Sequence, residues 1–157
     1  MAVAMAERAG LGPEGTRHLM RAALLHDIGK LGVSNRILDK PGGLTDGEYE
    51  EIKQHPKLTY DVLSWVGPSR PFAETAANHH EKLDGSGYHR GIGAEDLDLP
   101  SRILAVADIY DALSADCPYH KALPREKVLD SLREKSGTKL KFECVAFLEE
   151  LATADAI

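Results

Sequence analysis

The chain has 157 residues, 43% hydrophobic and 28% charged, with 19 Lys plus Arg against 25 Asp plus Glu for a formal net charge of −6. That balance suits one ordinary globular domain and excludes wholesale disorder, and no apolar run approaches the roughly 20 residues of a membrane span. The acidic balance argues against duplex nucleic acid, which needs a basic face, and two cysteines, Cys117 and Cys144, are too few for a disulfide framework or a cysteine-rich zinc site.

In chain order the patterns are helical. Val3–Ala9 reads as a helix end, closed by Gly10 and Gly12-Pro13. A second helix is expected from about Gly15 to Ile28, with Leu19, Met20, Ala23 and Leu24 at helical spacing and Gly29 and Gly32 at its C-terminal end. Pro41-Gly42-Gly43 signals a turn, and Thr45-Asp46-Gly47-Glu48 a capping box opening a helix that stops near Gln54. Pro56 starts another helix, ending near Gly67-Pro68, and Pro71 starts one that reaches His80. An irregular stretch, Asp84 to Pro100, precedes a helix over Ser101–Ser114, and Pro124–Lys135 and Phe142–Ala152 close the chain. No strand signal is convincing, so the expectation is an all-α bundle of about seven or eight helices.

Seven histidines are the compositional feature that points to chemistry. His26-Asp27 ends an apolar helix, and Lys30 follows within one turn, so all three can face one cleft. Such a pair is either a satisfied core histidine beside a helix-end carboxylate or an imidazole and a carboxylate for metal. His79-His80 can grip one ion only at the seam between two helical directions or where the helix loosens; otherwise it is a helix end with a surface imidazole. His55, before Pro56, reads alone as a cap or surface residue. Asp108 sits in the apolar helix Ile103-Leu104-Ala105-Val106-Ala107 with Asp111 one turn on, facing either a cation or a salt bridge to Arg102 or a lysine. Together, imidazoles and carboxylates spread over four helices suit a first-row metal pair built into a helix bundle.

The ordered set resembles a known family. His26-Asp27-Ile28-Gly29-Lys30, Ile37-Leu38-Asp39-Lys40-Pro41-Gly42, His55-Pro56, His79-His80-Glu81, Asp84-Gly85-Ser86-Gly87-Tyr88 and Arg102-Ile103-Leu104-Ala105-Val106-Ala107-Asp108 are similar to the HD-GYP branch of the HD phosphohydrolases, from near Val3 to about Phe147. The resemblance implies an all-α HD-domain helical bundle and two or three divalent metal ions, iron or manganese. It also implies hydrolysis of cyclic di-GMP or a related cyclic dinucleotide in bacterial second-messenger signalling. On it, Asp27 bridges two metals, His26 and Asp108 complete one, and His55, His79 and His80 hold the other. Lys30 contacts a phosphate, Asp111 lies behind the metals or near substrate, and His120 lines the phosphate side with Lys121 nearby. GGDEF-type domains, an upstream sensor domain and a second copy in a homodimer are the implied partners; the compartment expected from only two cysteines is a reducing cytoplasm. The alternative is a catalytically degenerate module acting in regulation or protein interaction.

Four positions depart from the family pattern. Gly87-Tyr88-His89 replaces Gly-Tyr-Pro, which restores a backbone donor at His89. Cys117-Pro118-Tyr119-His120 replaces Arg-Pro-Tyr-Arg, and a thiol cannot reproduce the guanidinium fork on a phosphate, although Lys121 can compensate in part. The family's first ligand histidine falls upstream of Val3, so residues 1–157 are expected to form a single HD-GYP-like domain without the start of its first helix. Thr59 stands where a glycine is usual, a change expected to matter little.

Overall fold

The computed structural model describes residues 1–116 and 121–154. Within them lie eight α-helical segments of five residues or more: α1 (Ala2–Arg8), α2 (Gly12–Leu25), α4 (Asp46–Ile52), α5 (His55–Trp65), α6 (Ala73–Ala77), α7 (Leu99–Ser114), α8 (Arg125–Lys135) and α9 (Phe142–Ala154). A four-residue α3 (Asn35–Leu38) and 3-10 turns at Ile28–Gly32, Arg70–Phe72 and Asn78–His80 complete them. The described residues form no strand, only an isolated bridge between Ser136 and Leu140.

The central element is α7. Ile103, Leu104, Ala105, Val106 and Ala107 are all buried, so this helix is apolar almost all round and must be enclosed. It packs against α1, α2, α6, α8 and α9. Met5, Leu19, Leu129, Leu132 and Leu148 close the core around it, each at most 1% exposed. Helix α7 starts two residues before the expected Ser101, because the Asp98 side chain accepts from Ser101 N (2.9 Å) and Pro100 fits the first turn. At Thr45 the expected capping box forms: Glu48 N donates to Thr45 Oγ1 (3.3 Å) and Thr45 N to the Glu48 carboxylate (2.7 Å).

Two stretches depart from the expected helices, and both shape the site. Helix α2 begins at Gly12 and yields at His26 rather than running to Ile28. In a continuing helix the His26 carbonyl would accept from Lys30 N. Here the Thr59 hydroxyl donates to His26 O (2.8 Å) and accepts from Gly29 N (3.0 Å), while Lys30 N turns back to Asp27 O (2.9 Å). The residue expected to matter little thus bends the His-Asp turn onto α5. Gly29 is no helix cap; it is where the two backbones meet, since a Cβ there would lie 2.0 Å from His55 O. The second departure is at Pro71, where one helix to His80 was expected. The chain instead breaks into a 3-10 turn, the short α6 and a second 3-10 turn that carries His79 and His80.

Candidate metal centre

Four elements deliver imidazoles and carboxylates to one place: the end of α2, the start of α5, the Asn78–His80 turn and the middle of α7. His26, His55 and His79 are each anchored the same way. Nδ1 donates to the carbonyl three residues earlier: Ala23 (2.8 Å), Ile52 (2.7 Å) and Ala76 (2.6 Å). A carbonyl only accepts, so Nδ1 carries the hydrogen, and in the neutral ring Nε2 presents a lone pair. Backbone anchoring of this kind fixes the tautomer and aim of metal-binding imidazoles.

Those Nε2 atoms converge. His55 Nε2 and His79 Nε2 lie 3.1 Å apart, and Asp27 Oδ1 is 3.3 Å from the first and 3.8 Å from the second. His26 Nε2 lies 3.5 Å from Asp27 Oδ2 and 3.4 Å from Asp108 Oδ1. His80 Nδ1 is 3.9 Å from Asp108 Oδ2, and its ring centroid is 4.2 Å from that of His79. Donor atoms of His55, His79 and His80, and likewise of His26, Asp27 and His79, all fall within 4.8 Å of one another. His79 belongs to both groups, and Asp108 faces His26 and His80 rather than Arg102.

The electrostatics suit cations. Burial, reinforced by the His80 ring, holds His79 well below the usual imidazole range, and burial with the His55 ring pushes His80 down to about 3. Both are neutral imidazoles at pH 7. For Asp27, burial favours the acid, but hydrogen bonds with His55 and Lys30 prevail and keep it well below the carboxylate range. His26 goes the other way: burial opposes its proton, but the Asp108 hydrogen bond and the Asp27 charge raise it. Facing lone pairs beside a carboxylate repel one another unless a cation or proton stands between them. Nitrogen and oxygen donors without thiolate suit a first-row divalent ion.

Other predicted residues have different surroundings. Lys30 Nζ pairs with Asp27 Oδ2 at 2.6 Å. Exposed Asp111 lines a cavity of about 470 Å³ with His26, Asp27, Lys30 and Asp108. Lys121 pairs with exposed Asp116 at 3.2 Å. Cys117 and His120 lie outside the described residues. Two structural residues went unassigned in the sequence. Buried Glu81 accepts from Arg90 N (2.7 Å) and Gly91 N (3.2 Å), which holds the loop against the site. Gly87 packs on the same stretch of backbone, since a Cβ there would lie 2.4 Å from Glu81 Cα. Tyr88 consequently stacks on His80, with centroids 4.7 Å apart.

A half-buried His-Asp doublet in an all-helical bundle defines the HD class of domain. A family model described as HD domain matches residues 1–142. The chain is 48% identical over 132 residues to 3'3'-cGAMP-specific phosphodiesterase 3 of Vibrio cholerae, covering 84% of this chain and 29% of that protein. It is 39% identical over 145 residues to the cyclic di-GMP phosphodiesterase response regulator RpfG of Xanthomonas campestris, covering 90% and 38%. It is also 39% identical over 150 residues to a cyclic di-GMP phosphodiesterase of Thermotoga maritima, covering 92% and 40%. Among solved structures, Bd1817 of Bdellovibrio bacteriovorus, described as an HDG"Y"P protein, aligns with a TM-score of 0.77 at 20% identity over 97% of this chain and 49% of that one, a likeness of fold. The chain belongs to the HD-domain family. It spans 29% to 40% of the length of these curated relatives. No helix among the described residues is long and apolar enough to cross a membrane.

Proposed function

We propose that this chain is a metal-dependent phosphodiesterase that hydrolyses cyclic di-GMP or a related cyclic dinucleotide. The observation that carries the reading is the pair of Nε2 atoms of His55 and His79, 3.1 Å apart beside Asp27, with both Nδ1 atoms committed to backbone carbonyls. The names of the relatives supply the substrate class.

Two divalent ions, iron or manganese, suit the donors. Asp27 has an oxygen toward each group; His26 and Asp108 would hold one ion and His55, His79 and His80 the other. When bound, such ions polarise phosphoryl oxygens and lower the pKa of water into the neutral range. Asp27 holds the two groups in register. Lys30, beside Asp27 at 2.6 Å, would stabilise charge on the phosphoryl oxygens. Asp111 borders the cavity where a ribose or base would lie. The branch resemblance extends the proposal to an upstream sensor domain, a homodimer and GGDEF-type partners that meet the loop around Tyr88, and the low cysteine count extends it to a cytoplasmic setting.

The test is incubation of manganese- or iron-loaded protein with cyclic di-GMP and with 3'3'-cGAMP. Appearance of a linear dinucleotide that stops in Asp27→Asn is the expected result. A fully metal-loaded protein that converts neither substrate overturns the reading in favour of a regulatory module.

A further inference from the structure

A second cavity, about 560 Å³, opens on the other side of Asp108 and Ala112 from the first; His80 and Tyr88 form its inner wall. Its outer wall carries Lys82, Lys135 and Lys139, residues far apart in sequence. Backbone bonds bring them together. Leu83 N donates to Lys139 O (3.0 Å), which sets the Lys82 segment beside the loop after α8, and Lys139 N donates to Lys135 O (2.9 Å), which sets Lys139 one turn beyond Lys135. In a chain of net charge −6, this concentration of positive charge is local.

Among the described residues, no carboxylate pairs directly with these three ammonium groups, although Asp84 and Asp108 attract Lys82 from farther off. Among the described residues, the Lys82 and Lys139 ammonium groups meet no carboxylate within ion-pair distance and no hydrogen-bond acceptor. Lys135 Nζ reaches only Ser131, at Oγ (2.7 Å) and O (2.9 Å), which holds it in place without cancelling its charge. The close contacts of those two carboxylates are with other groups: Asp84 accepts from Ser86 N and Oγ, at 3.0 and 2.6 Å, and Asp108 lies against His26 and His80. Lys53, at the cavity's far edge, is paired with Glu50 at 2.8 Å. Ammonium groups lining one cavity favour a multiply charged oxyanion, because such an anion has several acceptor oxygens to offer them.

We propose that Lys82, Lys135 and Lys139 form a second phosphate subsite, which holds the distal phosphate of a cyclic dinucleotide while the first phosphate lies at the histidine–carboxylate cluster. The ligand's identity rests on the phosphodiesterase reading; the anion site rests on the lysines. Two cavities that share Asp108 beside one histidine–carboxylate cluster suit a substrate with two phosphates on one ring. They also give a basis for discrimination: a one-phosphate nucleotide fills one chamber and gains nothing from the other.

The subsite is tested first without metal or nucleotide. Inorganic phosphate is titrated into metal-free protein at constant ionic strength while the lysine 13Cε resonances are followed. Saturable shifts are expected at Lys82, Lys135 and Lys139, with exposed Lys127 unmoved. The double variant Lys82→Met/Lys139→Gln should weaken this binding roughly tenfold or more, as expected for losing charged hydrogen bonds, and Lys82→Arg should retain it. Shifts that sodium chloride reproduces, or that survive in the double variant, overturn the subsite. The second arm compares cyclic di-GMP with GMP on metal-loaded protein by calorimetry. The double variant should weaken cyclic di-GMP at least tenfold and GMP less than twofold; equal losses for both, or none, refute the assignment of the distal phosphate. Phosphate binding at the lysines together with no affinity for any cyclic dinucleotide leaves the subsite standing and sinks the phosphodiesterase reading instead.

Discussion

Replacing Gly29 with alanine tests how the site is assembled. An ideal Cβ falls 2.0 Å from His55 O, 2.6 Å from Thr59 N and 2.8 Å from Thr59 Oγ1. The first two are backbone atoms of α5 and cannot rotate away. The shortest contact is about 1.4 Å inside the 3.4 Å at which ordinary van der Waals contact begins, so the His-Asp turn and α5 must separate. Overpacking of this kind costs about 1–3 kcal/mol, and loss of the Gly29 N–H bond to Thr59 adds about 1 kcal/mol. For a chain of this size the sum corresponds to a fall in Tm of roughly 5–15 °C. The separation also pulls Asp27 away from His55, so bound metal should fall with stability. The assay is thermal unfolding followed by circular dichroism, with metal content measured on the same samples. Gly47→Ala is the control: Gly47 lies in α4 with nothing within 4 Å of its built Cβ, so Tm should hold or rise slightly. If Gly29→Ala unfolds with its control and keeps its metal, the close approach of these backbones is not what positions the site.

Other consequences follow from the same geometry. Thr59→Val keeps the side chain's shape but leaves His26 O without its donor and Gly29 N without its acceptor, and should destabilise by about 1–3 kcal/mol in urea unfolding; a loss below about 0.5 kcal/mol would deny Thr59 its bridging role. Thr45→Ala removes one half of the capping box and should cost about 1 kcal/mol with no change in bound metal. The metal-free chain should weaken in acid. His79 and His80 have folded pKa values below the ordinary imidazole value, His80 at about 3, so their contribution is complete above about pH 6.5 and is lost as pH falls toward 3. Depressed Asp27 acts in the same direction below about pH 4, while His26, raised, contributes below about pH 6.5 and loses that contribution as pH rises through its folded value. A urea midpoint that stays level or climbs from pH 6.5 to pH 4 contradicts the buried neutral imidazoles.

The elements legible in the sequence are those set by local rules. Thr45 and Glu48 are three residues apart and bond to each other's backbone, so the start of α4 could be read directly. The helices of the apolar core followed from spacing, and α3, a single turn over Asn35–Leu38, was too short to leave a periodic signal. Elements fixed by distant partners were misread. Gly29 has the look of a helix end, but its partner in space is His55, and Thr59 gains its role only because α5 lies under the His-Asp turn. The order of the His and Asp motifs could indicate a common site; that His79 lies between two donor groups depends on the 3-10 turn at Asn78–His80. Nothing in sequence order joins Lys82 to Lys135 and Lys139, because a backbone bond from Leu83 to Lys139 creates that neighbourhood.

The most direct test is metal analysis of anaerobically purified protein alongside Asp27→Ala. If the converging imidazoles and carboxylates form a two-metal centre, the native chain should carry about two equivalents of iron or manganese and the variant about one or fewer, with the helical signal unchanged. Less than half an equivalent in the native chain after loading with either metal, or equal metal in both proteins, would contradict it.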